Sequence, residues 1–366
     1  MHAILIAKDE GLARALVLAL AGMDIRISIF GEVEALRKSA HCGGFFHLPI
    51  DGSDESASRF AALANEIVDR QADTVIIPAD VPSCLTMLAA RSKLRCAFFP
   101  APEPDLLEEI NDKWPFYGIC NKYNVPTPKT VFVGSKTQCS YSFLSDALSG
   151  PFVLKPTCER NGDGVVIIRS EEEYRELILE NSLYQYSPLI AQQYVPGKDI
   201  DISLLAHNGE MVCCAVQTRT GSVVNFIECE ALRRAAGALV EGVHYTGVLH
   251  IDARQHQATG FIWLIEANPR IWGTINAAKW CGLNFIAAGM ALACNRPVTE
   301  PRLLIDGCYP GFASALKSRL LGQIDSTKMG KERRSFINHL MFDPYEYYRV
   351  WDRMKSLPVR RNSINP

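Results

Sequence analysis

The stretch Tyr245-Thr246-Gly247-Val248-Leu249-His250-Ile251-Asp252-Ala253-Arg254-Gln255-His256, Gln257-Ala258-Thr259-Gly260, Phe261-Ile262-Trp263-Leu264-Ile265-Glu266-Ala267-Asn268-Pro269-Arg270-Ile271-Trp272-Gly273-Thr274 reads as strand, turn and strand. The strands run from Thr246 to His256 and from Phe261 to Asn268, with Pro269 as a stop. With the turn centred near Thr259, Asp252 lies opposite Glu266 and His250 opposite Asn268, at cross-strand Cβ separations of roughly 5 Å. Alternation puts Ile262, Leu264, Glu266, Asn268 and Arg270 on one face and Trp263, Ile265 and Ala267 on the other. Asp252, Glu266 and Asn268 then offer three oxygen ligands, which suit a hard cation such as Mg2+. Arg270, one step along, can hold a phosphate or carboxylate with two parallel hydrogen bonds. For Glu-x-Asn-x-Arg alone, a hairpin with a merely polar rim is the alternative.

A chain of 366 residues has room for two or three domains with substantial cores. Its 48% hydrophobic and 21% charged content is that of an ordinary globular protein, and a net charge of −2 gives no electrostatic reason to expect nucleic acid. Ala3 to Ile6 already reads as a strand where a signal peptide would sit. No apolar run approaches the roughly 18 residues that span a bilayer, so the expected compartment is the cytoplasm. The twelve cysteines lack paired metal-ligand spacing. Neighbouring Cys213 and Cys214 point to opposite faces of a strand, and the set reads as reduced, structural thiols.

Residues 1–105 alternate strand and helix: strands at Ala3–Ile6, Ile25–Phe30, Phe45–Leu48, Thr74–Pro78 and Ala97–Phe99, helices at Glu10–Ala21, Glu32–Ala40, Ser56–Arg70 and Ser83–Leu94. That pattern builds a doubly wound parallel α/β domain. Its first turn lacks Gly-x-Gly-x-x-Gly, which argues against a dinucleotide. Asp80, just past a strand, reads as a solvated loop acid, with a substrate contact as the alternative. After Pro100, Pro102 and Pro104, Asn111 or Asp112 caps a helix that opens with Lys113, where the macrodipole disfavours a cation unless an anionic ligand is near; a solvated lysine is the alternative.

Lys155 lies in the apolar strand Phe152–Pro156, and its buried charge needs a partner such as a phosphate. Asn161, Gly162, Asp163 and Gly164 follow, either as a phosphate-covering lid or as a plain hairpin turn. Asp199 and Asp201 share one face of a later strand, and Arg219 lies in a loop after Met211–Gln217. From Lys317 to Arg361, eleven Lys or Arg outnumber five Asp or Glu, with Tyr345, Tyr347, Tyr348 and Trp351 interleaved. This tail reads as a helix packed on its own domain, or as a docking segment for an anionic lipid surface or a partner protein.

In order and spacing these pieces resemble the ATP-grasp superfamily over roughly residues 1–300, in the branch near carbamoyl-phosphate-synthase-type proteins and carboxylate–amine ligases. The resemblance implies an α/β domain (1–105) followed by a two-lobed clamp of antiparallel sheets and helices (106–190 and 191–300), then a basic, aromatic helical extension (301–366). It implies ATP contacts from Lys113, Lys155, the loop glycines Gly162 and Gly164, the hinge Gln192, Gln193, Tyr194 and Val195, and the ribose acid Asp199. Metal ligands fall on Asp252, Glu266 and Asn268, for Mg2+ with Mn2+ as the alternative. Arg270, with His250 and Arg219 as lesser candidates, falls at the reacting phosphoryl group or substrate.

The implied reaction phosphorylates a carboxylate with ATP and joins the acyl phosphate to an amine; alternatives are bicarbonate or carbamate as the acid, or a non-catalytic ATP-binding regulator. A homodimer fits the same resemblance. Gln192 replaces the usual hinge acid, Asp199 is shorter than the usual ribose glutamate, and Glu159 and Arg160 intrude into a loop with only two glycines.

Overall fold

The structure, a computed structural model, describes residues 1–71, 73–159, 162–298, 303, 308–309 and 331–356. Short apolar runs and amphipathic segments alternate as β1 (His2–Ala7), α1 (Glu10–Leu20), β2 (Arg26–Gly31), β3 (Cys42–His47), α2 (Asp54–Arg70), β4 (Thr74–Pro78), α3 (Val81–Ala90) and β5 (Ala97–Phe98). The five strands are parallel in the order β3-β2-β1-β4-β5. Strand β1 is buried at every position because helices cover both faces. Ala3 and Leu5 join the core beneath α1, whereas Ile4 and Ile6 join that beneath α2 and α3. The helix expected over Glu32–Ala40 is only a short 3₁₀ segment, Glu34–Lys38.

Asp80 is not a solvated loop acid. It is 1% exposed and caps α3, accepting from Ser83 N at 2.9 Å and Ser83 Oγ at 2.6 Å. Its other oxygen accepts from Lys8 N at 2.8 Å and Asp9 N at 2.7 Å. The carboxylate thus ties the end of β4 to the end of β1, and four donors offset its burial.

The chain continues through α4 (Pro104–Asn111), α5 (Lys113–Lys122), β6 (Thr130–Val133), α6 (Tyr141–Leu148), β7 (Phe152–Pro156), β8 (Val166–Ile168), α7 (Glu171–Tyr174) and β9 (Leu189–Gln193). Strands β6-β9-β7-β8 form a four-stranded antiparallel sheet. Next come β10 (Gly197–His207), β11 (Glu210–Thr220), β12 (Val223–Ile227), α8 (Glu230–Gly242), β13 (Gly247–His256), β14 (Ile262–Asn268), α9 (Ile275–Trp280), α10 (Phe285–Ala293) and the short β15 (Cys308–Tyr309). Here the strand order is β14-β13-β10-β11-β12-β15, all antiparallel.

Ile110, Phe116, Cys120 and Val125, in the segment expected to open the smaller lobe, share a core with α8 and the six-stranded sheet. The core of the four-stranded lobe begins instead at Val131 and Val133. The apolar stripe of α5 is therefore satisfied by the larger sheet, whereas α4 bridges two cores, with Ile110 in this one and Leu107 in that of the α/β domain. Helices α9 and α10 pack on α1, and the Lys279 ammonium, 6% exposed, donates to the carbonyls of Leu18, Ala19 and Ala21 at 3.1, 2.7 and 2.7 Å. A cation at the C-terminal end of α1 is favoured by the helix dipole as well.

The described part of the basic tail, helices Lys331–Phe342 and Pro344–Ser356, packs on the α/β domain and also on α9 and β15, where Phe336 meets Trp280 and Tyr309. Its acids make the attachment. Glu346 Oε2 accepts from Arg14 Nη2 at 2.9 Å, and Asp343 Oδ2 from Ser39 Oγ at 2.6 Å. Tyr345, 2% exposed, donates its hydroxyl to Glu10 Oε1 at 2.8 Å. Residues 310–330 and 357–366 of the tail lie outside the described residues. Among the described residues no helix is long and apolar enough to cross a membrane, and the described cysteines are free thiols.

Replacing Asp80 by Ala removes the α3 cap and strands two backbone N–H groups of the β1–α1 turn. The expected loss is about 2–4 kcal/mol of unfolding free energy, read from the urea midpoint at unchanged slope.

Candidate active site

The hairpin expected from the sequence is present, with one added feature. Beyond the Gln257–Gly260 turn, His256 N donates to Phe261 O at 2.9 Å, and the register then pairs Gln255 with Ile262, Arg254 with Trp263 and Ala253 with Leu264. At the next step it jumps, so that Asp252 pairs with Glu266 and Ile265 is the extra residue of a β-bulge. The turn is thus centred half a residue earlier than Thr259, and the bulge restores the Asp252–Glu266 and His250–Asn268 pairs.

It also changes the faces. Ile262, Leu264 and Ala267 all enter the core beneath the sheet, while Glu266 and Asn268 point the other way. Simple alternation, which puts Leu264 with Glu266, fails at Ile265.

Strand order supplies neighbours from farther along the chain. Asp201 pairs with Asp252 on one side and Gln217 on the other, giving a row Gln217–Asp201–Asp252–Glu266 across four strands. The next row is Ser203–His250–Asn268. Asn268 Nδ2 donates to Asp252 Oδ2 at 3.0 Å, and Arg270 Nη2 donates to Asn268 Oδ1 at 2.9 Å. His250 has Nδ1 2.9 Å from Ser203 Oγ and Nε2 3.4 Å from Asp252 Oδ1, and its ring stacks on Trp272 with centroids 5.7 Å apart. Gln217 donates to Thr274 Oγ1 at 3.0 Å and to Asp201 Oδ2 at 3.3 Å. The Trp-Gly-Thr end of the opening stretch therefore orients side chains on β13 and β11.

Charge is concentrated here and only partly compensated. Burial pushes the Asp201 carboxyl up, with the Asp252 charge adding to it against His250. Burial also pushes Asp252 up, but its hydrogen bond with and charge from His250, with Glu266 and Lys155 assisting, hold it below the usual range. His250 is pushed down by burial and further up by its bond to Asp252 and the charges of Asp252 and Asp201.

Lys155, 3% exposed, faces the cluster from the smaller lobe, and burial lowers it from 10.5 to about 8 against the pull of Glu266. Lys113 is not solvated: it is 7% exposed, 3.5 Å from Glu266 Oε2, and donates to Glu159 O at 3.0 Å. The two lysines and the acid row thus meet across the gap between the sheets.

Other expected residues lie around this centre. Gln192 is buried, its Nε2 donating to Thr130 Oγ1 at 3.1 Å. The N–H groups of Gln193 and Tyr194 are engaged by Lys129 O and Pro151 O at 2.8 and 3.0 Å, and Val195 follows at 5% exposure. Asp199 is 81% exposed and pairs with Arg254 Nη1 at 3.2 Å. Arg219 is exposed near the end of β11, two residues beyond Gln217. Gly162 and Gly164 adopt φ of 75° and 69°, and a Cβ on Gly164 would meet Pro156 and Tyr186 within 3 Å. The loop is pinned by Tyr184, whose hydroxyl donates to Gly164 O at 2.9 Å; Arg160 and Asn161 lie outside the described residues.

Sequence reasoning does not single out Asp201, Ser203, Gln217, Trp272 or Thr274 as site residues. The spacing Asp199-x-Asp201 is the one signal for any of them, since it puts a second acid on the face of the first.

Three comparisons bear on this arrangement. Residues 185–307 match a family described as "ATP-grasp in the biosynthetic pathway with Ter operon". The structure is similar to that of carboxyaminoimidazole ribonucleotide synthase from Aspergillus clavatus complexed with ATP, with a TM-score of 0.65 at 17% identity over 84% of this chain and 80% of that one. The chain has the ATP-grasp fold. Among curated proteins, it is 26% identical over 114 residues to D-alanine–D-alanine ligase of Petrotoga mobilis, covering 31% of this chain and 35% of the relative. It is 22% identical over 283 residues to the arginine-specific carbamoyl phosphate synthase large chain of Bacillus subtilis, covering 69% and 26%. The chain therefore spans about a third of one relative and a quarter of the other.

Lys155 is held at a cost on the order of 3 kcal/mol, the drop from 10.5 to about 8 converted to free energy. Between those pH values the unfolded chain carries a proton that the folded one does not. Stability attributable to Lys155 therefore rises with pH from about 8 to 10.5, and the penalty is full below 8. Lys155→Met is expected to be about 1–3 kcal/mol more stable than the parent at pH 7, with the difference shrinking toward pH 10 in denaturant titrations.

Proposed function

We propose that this chain is an ADP-forming ligase that phosphorylates a carboxylate with ATP and joins the acyl phosphate to an amine. The observation that carries the proposal is the row Asp252–Glu266 with Asn268 and Arg270, faced across the gap by Lys113 and Lys155. Transfer of a phosphoryl group to an anion needs neutralised charge and alignment more than covalent help. The fungal neighbour's complex with ATP and the ligase activity in the name of the Petrotoga relative agree with it.

The donor set fits a hard divalent cation. Asp252, Glu266 and Asn268 gather carboxylate and amide oxygens at a position where a lysine ammonium already stands 3.5 Å from Glu266. These three residues would hold Mg2+, or Mn2+, whose contribution is to neutralise the phosphates and polarise the transferred group. Lys155 and Lys113 bind and orient the nucleotide phosphates, which supply the counter-charge that Lys155 lacks. Arg270, held beside this set by Asn268 and Ile271 O, would steady the phosphoryl group and the acyl phosphate. Gln192–Val195 with Asp199 line the nucleoside side, Gly162 and Gly164 let the loop lie close to the phosphates and exclude water, and His250 and Arg219 contact the acid substrate.

Bicarbonate or carbamate is the second reading for the acid. It is favoured by the match to a carbamoyl phosphate synthase over 69% of the chain, because carbamoyl phosphate is itself the mixed anhydride of carbamate and phosphate.

Phosphate release from Mg-ATP, measured with pools of amino acids, other small carboxylic acids and bicarbonate, is expected to depend on one pool. It should fall at least about 10³-fold in Glu266→Gln, a loss of roughly 4 kcal/mol of barrier stabilisation, with the fold intact by circular dichroism. Silence of parent and variant alike with ATP bound, across all pools, favours the regulatory alternative.

A further inference from the structure

We propose that His41, His339 and Asp343 form a site for a borderline divalent cation of the Zn2+ type, which staples the C-terminal helices to the edge of the α/β sheet. His41 lies in the turn that precedes edge strand β3, whereas His339 and Asp343 are four residues apart at the end of helix Lys331–Phe342. Nothing in the nucleotide clamp uses them.

One donor atom from each of the three lies within 4.8 Å of the other two. His339 Nε2 is 3.2 Å from Asp343 Oδ2, and the two imidazole rings are 4.1 Å apart between centroids. Ligands bound at about 2.0–2.1 Å around a tetrahedral ion stand roughly 3.3 Å from one another, so the Nε2–Oδ2 pair already has the required spacing. Two imidazoles and one carboxylate select Zn2+, Co2+ or Ni2+ over Mg2+ and Ca2+, which prefer oxygen alone. This donor set is distinct in kind from the all-oxygen set of Asp252, Glu266 and Asn268.

The surroundings are those of an organised site. Asp343 is 2% exposed, and its carboxylate is fixed by Ser39 Oγ at 2.6 Å, Ala40 N at 3.0 Å and Tyr345 N at 3.1 Å, the kind of outer contact that orients a metal-binding carboxylate. His339 is 6% exposed and stands beside that carboxylate. Burial foremost, then the neighbouring His41, lowers His339 to about 4; burial lowers His41 as well. Arg14 is held by Glu346, and the Lys279 ammonium donates to the carbonyls ending α1. His41 is only partly buried and offers the way in.

The test uses the full chain, stripped with chelator and dialysed against Zn2+, with bound metal counted per chain, and Co2+ as a spectroscopic substitute. His41→Gln is the main variant because His41 is the partly exposed ligand, and Asp343→Asn is the second. The expected result is one zinc per chain, at least a tenfold weaker affinity in both variants, and a Co2+ spectrum with visible tetrahedral bands but without thiolate charge transfer. A zinc-induced rise in melting temperature should disappear in His41→Gln. Absence of stoichiometric zinc, equal affinity in parent and His41→Gln, or a thiolate spectrum that places the metal on cysteines would overturn the proposal.

Discussion

One extra residue in the second strand of a hairpin sets the geometry on which the candidate site depends. Without the bulge at Ile265, the β13–β14 register would place Asp252 opposite Ile265, and Glu266 would share the face of Leu264 toward the core. With it, two carboxylates stand side by side above the sheet while Leu264 and Ala267 both remain buried below. The bulge reconciles two demands on one short strand, a continuous apolar underside and adjacent acids on top.

Placing those acids together is unfavourable unless positive charge is brought to them, and the fold brings it from elements far from the hairpin in sequence. Lys155 comes from the four-stranded sheet and Lys113 from the first turn of α5, neither adjacent to the hairpin in sequence. Their compensation is incomplete, since burial depresses Lys155 despite Glu266. A protein selected only for stability would replace Lys155 with an apolar residue. Its retention points to a ligand that supplies the missing negative charge.

The same logic recurs away from the clamp, with opposite outcome. Asp80, Glu346 and Lys279 are also buried ionisable residues, but each has a full set of local partners and serves attachment: strand to helix, tail to α/β domain, α9 to α1. The distinction between a structural charge and a functional one lies in whether its partners are already present.

Much of this is legible in the residues alone. The parallel α/β domain follows from the alternation of apolar runs and helical periodicity, and the Asp252–Glu266 and His250–Asn268 pairs from a recognisable turn at Gln257–Gly260. Lys155 stands out because a cation in an apolar strand needs an anion. Such features are local: period, turn chemistry and the face on which a residue lies are written within a dozen positions. The bulge is not legible, because Ile265 looks like any other strand residue until packing on both faces forces a choice. Asp201, Ser203 and Gln217 join the site only through the strand order β14-β13-β10-β11, and Asp80 and the tail acids find their partners across the fold. Those neighbours are set by long-range pairing and by the need to satisfy every buried charge. That need is a property of the assembled cores, and no stretch of sequence states it.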